Sequence, residues 1–465
     1  MAETNAKSYL FESMPIPKAI ASLAIPTVIS SLVTVVYNLA DTYFVSMLND
    51  PIQNAAVTLV YPVMLAFNAV NNLFGVGTSS MMSRKLGAGE HENVRISSAF
   101  GFWGAVICSA LLAMFCTIFK PSLLGILGAD ADTIKATSDY MFWTVNCGAI
   151  PAILNVVMAY MVRSEGASMH ASIGTMSGCI LNIILDPIFI LPQFLNMGAA
   201  GAGLATFLSN CVACLYFFGL YFIKKGRTFV CFNPFKLKKL SKDVAFGILG
   251  VGIPASIQNL LNVTGTTILN NFTAVYGASA VAAMGISHKL FMIPSQVALG
   301  FGQGITPLVS YNYASGNRKR MKKSIVFALS IMIPVMLIVT IGYWNGSEFL
   351  IRLFIENNEI ITYGSEFLRR MSLGMTFLTT DFLVIGVFQA LGMGKMALLF
   401  AILRKIVLEI PLLIILNHFI PLYGLASAQS IAEIVLATLA IVILLRIFKY
   451  GVPGDKSKDN VSRET

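Results

Sequence analysis

Along this chain long apolar runs alternate with short polar breaks from about residue 20 to residue 447. Most of the runs are long enough to cross a bilayer as a helix rising about 1.5 Å per residue. Apolar windows predict twelve spans, at 20–48, 55–82, 96–119, 139–162, 168–192, 198–223, 244–272, 279–312, 324–344, 371–391, 396–416 and 422–447. The longest polar interruption, 224–243, contains Asn233-Pro234 and divides the spans six and six. The pattern predicts an all-α integral membrane protein. Residues 1–19 form an amino-terminal segment, 20–223 the first six-helix lobe, 224–243 a basic linker, 244–447 the second lobe and 448–465 a tail.

Charge adds orientation. Most of the 32 Lys and Arg fall in alternate loops: the amino terminus, Arg84/Lys85/Arg95, the run Lys224 to Lys242, Arg318 to Lys323, and the tail. Cytoplasmic loops carry such an excess, so both termini are expected in the cytoplasm. The same bias accounts for the net charge of +10 without nucleic acid as a partner. Residues 1–18 have no basic stretch before a short apolar core and no small-residue cleavage site, so the first span is expected to be retained. Only 12% of the residues are charged, and mean hydropathy is +0.76. The seven cysteines lie mostly in apolar stretches, and Cys211-x-x-Cys214 has neither a second pair nor a nearby His, so they are expected to be small packed hydrophobes rather than metal ligands.

The two halves match each other. A shift of about 227 residues lays Pro26 on Pro254, Gly75 on Gly302, Gly77 on Gly304, Ser83 on Ser310 and Gly89 on Gly316. Each half holds an even number of spans, so the halves share one orientation and are related by a pseudo-two-fold axis along the membrane normal. Repeats of that kind enclose a central cavity and work by rocking one lobe against the other.

Polar groups at membrane depth mark the candidate chemistry. Asp41 in the first span, Asp186 in the fifth, Asp381 in the tenth and Glu409 in the eleventh stand out, since an acid at the centre of a span costs roughly 2.5–3.5 kcal/mol to insert. Asn182 and Asp186 lie four apart and share a helix face beside the helix-bending Pro187, where they either satisfy a bent backbone or offer hard oxygen ligands to a small cation. Two carboxylates facing each other in low dielectric would exchange H+ or Na+. The repeat places Leu269 where the first half has Asp41, so the carboxylate site is not duplicated. Asn259 and Asn262, with other amides and hydroxyls, make the seventh span polar enough to line a wet cavity. Asp381, Asn38, His288 and Lys289 are further cavity candidates, with Tyr37, Phe67 and Met292 as aromatic or thioether contacts to a cationic cargo. Lys289 has snorkelling to the interface as its other reading, and Lys405 with Glu409, i and i+4, reads as a local structural pair.

Enzyme motifs fail: Gly300-x-Gly302-x-Gly304 sits in a span, where small residues serve close helix packing, and Gly392-Met393-Gly394-Lys395 lacks the rest of a phosphate loop. The sequence therefore predicts a transporter rather than an enzyme, with no cofactor beyond the transported ion.

Several local patterns together carry a family resemblance. They are Pro26 followed by Asn38-x-x-Asp41, Gly87-Ala88-Gly89-Glu90, Arg163-Ser164-Glu165-Gly166, Leu181-Asn182-x-x-x-Asp186-Pro187, and Gly304-x-x-Pro307 leading to Tyr311-Asn312-Tyr313-x-x-Gly316. Over about residues 15 to 450 the chain resembles the MATE (multidrug and toxic compound extrusion) family. The resemblance implies a V of two six-helix lobes in a bacterial inner membrane, exporting organic cations against an inward H+ or Na+ gradient, and the protein is expected to function as a monomer. In some members a first-lobe site uses two Asp, an Asn and a Thr; the matching positions are Asp41, Asp186, Asn182 and Thr206, which would ligate Na+ in a Na+-coupled protein. Other members couple through a seventh-span Glu and a tenth-span Asp; here the first is Asn262, while Asp381 is retained. A lipid-linked oligosaccharide flippase of the same superfamily is the alternative, and it would need a more basic cavity.

Overall fold

The computed structural model describes residues 8–452, and all regular structure among them is helical. Lys7, Lys456, Lys458 and Arg463, counted above among the cytoplasmic positives, lie outside the described residues. The first six helices are α1 (Ile16–Ser46), α2 (Pro51–Gly87), α3 (His91–Ile118), α4 (Ile134–Cys147 with Ala149–Ser164), α5 (Ser168–Ile190) and α6 (Gly198–Ile223). The second six are α7 (Lys242–Ala274), α8 (Ala278–Ala314), α9 (Arg318–Arg352), α10 (Asn358–Ser372 with Met375–Ala390), α11 (Gly394–Ile402, Leu403–Glu409 and Ile410–Phe419) and α12 (Tyr423–Tyr450).

Eight of these are long and apolar enough to cross a membrane, and the bent pairs α4 and α10 raise the number to ten. The other two, α8 and α11, occupy the expected eighth and eleventh spans but carry too many polar groups to qualify by composition. His288, Lys289, Gln296 and Gln303 sit on α8, and Arg404, Lys405 and Glu409 on α11. Several expected boundaries move, including the ninth helix, which runs Arg318–Arg352 rather than 324–344. The tenth helix begins near residue 358 rather than 371, because Asn358–Ser372 is amphipathic: Glu366, Arg369 and Arg370 interrupt the apolar run, while Ile360, Phe367, Leu368 and Met371 are buried. The fourth likewise starts at Ile134.

The repeat is visible in the backbone. Gly89 and Gly316 close the α2–α3 and α8–α9 turns at φ +75 and +78, and Gly166 and Gly392 close the α4–α5 and α10–α11 turns at +86 and +77. These left-handed values favour glycine, which has no Cβ to clash with the carbonyl. α4 and α10 both bend by 47°.

The lobes meet through the first halves of α1 and α7 and the last halves of α8 and α2. Glycine makes the approach possible. A Cβ on Gly304 would lie 2.6 Å from Ala24 Cα, and one on Gly300 2.6 Å from Ser31 Oγ, while Gly77 and Gly252 face each other's helices with no room for a side chain. Ser80 Oγ donates to the Gln389 carbonyl and Ser256 Oγ to the Ala69 carbonyl, each at 2.6 Å, and Lys85 pairs with Asp243 at 3.1 Å. All of these contacts lie toward the end of the molecule that carries the basic loops, so the lobes are drawn together there.

Two segments reinforce that end. Tyr9–Ser13 forms one wide helical turn whose Phe11 is fully buried and stacked on Tyr311 of α8, with ring centroids 4.7 Å apart. Arg320 donates to the Leu10, Phe11 and Met14 carbonyls, and Leu10 and Phe11 also abut Gly166 of the first lobe. The segment therefore fills the seam between the lobes. The basic stretch after α6 is docked on the first lobe: Trp103 Nε1 donates to the Phe232 carbonyl at 2.9 Å, and the Glu165 carboxylate accepts from the Phe229 and Val230 amides at 2.6 Å each.

Candidate cation site and central cavity

Three buried polar assemblies occupy the bundle. The first lies inside the first lobe, where α1, α5 and α6 converge. Asn182 and Asp186 are almost wholly buried on one face of α5. With its amide oriented to suit both neighbours, Asn182 donates to Asp186 Oδ2 at 2.9 Å and accepts from the Thr206 amide at 3.1 Å and its hydroxyl at 3.3 Å. Tyr37 on α1 bonds Thr206 and feels the charges of Asp41 and Asp186. Asp186 feels the charge of Asp41, and Asp41 Oδ1 is buried without a hydrogen-bond partner. Among the described residues no Lys, Arg or His pairs with either acid. Beside them a cavity of about 40 Å³ is lined by Tyr37, Asn155, Cys179, Asn182, Thr206 and Asn210, room enough for water-sized occupants. The donors are two carboxylates, an amide and a hydroxyl, all hard oxygens, which suit a proton or an alkali cation. No cluster of three or more His, Cys, Asp or Glu exists among the described residues that would point to a transition metal.

The second assembly is a cavity of about 280 Å³ between the lobes. Its wall is made of helical stripes: Ala255, Gln258, Asn259 and Asn262 on α7; Gln296, Leu299, Gln303 and Thr306 on α8; Phe382, Ile385, Gly386 and Gln389 on α10. Asn72, Ser79, Ser80 and Tyr160 complete it from the first lobe. None of the lining residues is charged.

The third lies in the second lobe. Arg404 stands 2.9 Å from Glu433 and 3.6 Å from Asp381, both fully buried, and Lys405 closes on Glu409 at 2.6 Å. The wide turn Leu403–Glu409 advances the helix register so that Arg404, Lys405 and Glu409 are all buried.

The four residues expected to bind the coupling cation thus come together, and Tyr37, expected at the cargo cavity, joins them instead. Asn259 and Asn262 do line the central cavity. Asp381 does not: it turns away from the cavity toward Arg404, because a buried acid next to a guanidinium is held there by charge. His288 lies beside Lys405 and Glu409, Lys289 is exposed, Phe67 is packed in the main core, Asn38 is exposed on α1, and Met292 is outside the cavity wall. Sequence reasoning missed Glu433, a fifth acid at membrane depth, and the glutamines of α8 and α10. Polar or small residues recur at i, i+3, i+4 and i+7 on α7 as Ala255, Gln258, Asn259 and Asn262, but large apolar residues interrupt that stripe on α8 and α10.

With that geometry in place, the comparison with known proteins is direct. The MatE family model matches residues 26–188 and again residues 254–415, the two halves of the internal repeat, and the chain belongs to that family. It is 34% identical over 445 residues to the multidrug export protein MepA of Staphylococcus aureus strain MRSA252, covering 94% of this chain and 96% of that protein. Among solved structures it resembles a MATE protein in complex with MaL6, with TM-score 0.89, 26% identity, and 95% and 98% of the two chains covered. It also resembles a multidrug resistance MATE transporter of the MOP superfamily in an outward-facing conformation, with TM-score 0.85, 27% identity, and 93% and 96% covered.

Proposed function

We propose that this protein is a multidrug efflux antiporter that exports organic cations in exchange for H+ or Na+. The observation that carries the reading is the separation of two sites. A cavity large enough for cargo lies between the lobes, while an acid pair without a counter-cation lies inside one lobe. In such an arrangement the ion and the drug need not touch. A cation entering at Asp41, Asp186, Asn182 and Thr206 neutralises the pair, changes how α1 packs on α5, and so changes how α1 meets α8 across the seam. Differential binding of ion and cargo to the two lobe positions then drives exchange.

The basic loops argue that the drawn-together end and both termini face the cytoplasm of a bacterial cell, with 20–223 and 244–447 as the rocking lobes. The protein works as a monomer in this reading, since the cavity is complete within one chain, and it performs no chemistry on its cargo. The flippase alternative is not favoured: a pyrophosphate needs several cations, and no charged side chain lines the cavity.

The test is ethidium efflux from proteoliposomes with a pH gradient or a Na+ gradient imposed separately. Efflux that follows one gradient and disappears in Asp41→Asn supports the reading and names the ion. Failure of both gradients to move any cation tried would end it.

A further inference from the structure

Arg163 ends α4, and its side chain is 6% exposed. It points back along its own helix, as helical side chains do, placing its guanidinium 5.4 Å from the centroid of the Tyr160 ring. Its Nη1 donates to Gln303 Oε1 at 3.2 Å, across the seam, and Nε has no hydrogen-bond partner. Gln303 in turn bonds the Tyr160 hydroxyl. Tyr160 and Gln303 both line the central cavity, so Arg163 stands one side chain behind its wall.

The charge has no compensation. Among the described residues no carboxylate forms an ion pair with Arg163, and Tyr160 is the one titratable group that acts on it. The other cation behind the wall, Arg404 beneath Phe382, faces Asp381 and Glu433. The carboxyl-terminal end of α4 favours a cation, but only weakly, and the guanidinium points away from that end. A buried charge without a partner is a strong demand for an opposite one. The hydrogen bonds carry that demand outward: Arg163 Nη1 on Oε1 fixes the Gln303 amide, which leaves its N–H groups free to face Tyr160 and the cavity.

We propose that Arg163 is the anion anchor of the central cavity, so that a zwitterionic cargo docks its carboxylate at the Gln303–Tyr160 wall, with Arg163 as counter-charge. The proposal rests on the export reading for its cargo, but its test reads binding, not transport. The probes are rhodamine B, which carries a free carboxylate, and its ethyl ester, which carries none; both are otherwise the same cation. Dissociation constants are measured by fluorescence on the purified full chain in lipid nanodiscs.

The expected result is that the protein binds rhodamine B about tenfold more tightly than the ester, a modest value for a charge-assisted contact. Arg163→Gln abolishes that ratio while leaving the ester within about twofold of its original affinity, and Arg163→Lys keeps a preference. Because the ratio is taken within one protein, loss of folded material does not mimic it; should Arg163→Gln not fold, Gln303→Leu cuts the link and must erase the same preference. An original protein with no preference for the carboxylate, or a preference that survives both Arg163→Gln and Gln303→Leu, overturns the proposal. Ethidium efflux that fails under every gradient while the rhodamine ratio behaves as stated would refute the exporter reading and leave the anchor standing.

Discussion

The two lobes are built on one repeated plan, yet their buried charges are disposed in opposite ways. In the first lobe Asp41 and Asp186 have no basic partner among the described residues, and their neighbours Tyr37, Asn182 and Thr206 line a small cavity. In the second, Asp381 and Glu433 share Arg404 and Glu409 pairs with Lys405, all within 3.6 Å. An acid pair that must find its cation from outside can exchange it. One that already holds its cations cannot release them without a large cost. On the function proposed above, one lobe holds an exchangeable site and the other a fixed internal brace, and the difference is a matter of where the counter-charges are covalently attached.

The sharpest way to break this contrast is to remove a charge from each side and read two outputs. Asp186→Asn should abolish ion-driven efflux, by about a hundredfold or more, while thermal stability measured by fluorescence-detected size exclusion stays near that of the original protein; a variant that still couples would mean the first-lobe pair is structural. Arg404→Gln should do the reverse. It strands Asp381 and Glu433 and costs roughly 3–5 kcal/mol of stability. Replacing Arg404, Asp381 and Glu433 together with Met, Leu and Met should recover most of that loss, since an apolar core of similar volume satisfies itself. If the triple replacement instead loses efflux at full stability, the brace is a second exchange site.

Smaller effects sharpen the picture. Thr206→Val removes the hydroxyl at Asn182 and leaves the backbone amide bonded, so ion affinity should fall several-fold, about 1 kcal/mol, in the concentration dependence of efflux. The smallest effect lies outside the membrane. Hydrogen bonds from Asn93 and Lys85 hold the Glu90 carboxyl below its ordinary range. A depressed acid contributes stability above its unfolded pKa and loses it as the pH falls through the folded one. Glu90→Gln should therefore lower stability by less than about 0.5 kcal/mol at pH 7, and melting curves near pH 3 should no longer separate the two proteins.

The sequence carried the first-lobe site clearly because isolated acids in apolar runs are conspicuous and because Asn182 and Asp186 announce a shared face by their spacing. It carried the repeat for a similar reason, through glycines that the turns cannot replace. Glu433, in the apolar Tyr423–Tyr450 helix, was as visible as any isolated acid, but no partner lies near it in sequence; Arg404 meets it only in the fold. The α7 wall of the cavity was expected, but the share of α8 and α10 escaped because their amides become a lining only when the helices are packed. Asp381 and His288 were misplaced for the converse reason: a polar residue in a span must face something polar, but which polar neighbour it faces is a tertiary matter.

The plug formed by Phe11 has a consequence for the resting protein. Removing a buried phenylalanine ring from its apolar surroundings is worth about 1.5–3 kcal/mol, and every 1.4 kcal/mol is about tenfold in an equilibrium constant. Parting the lobes at their joined end draws that ring out of the seam with its stacked partner Tyr311. A single side chain thereby biases the empty transporter by about ten- to a hundredfold toward waiting with that end shut. That bias sits about thirty residues along the chain from Asp41, the acid proposed to take up the ion.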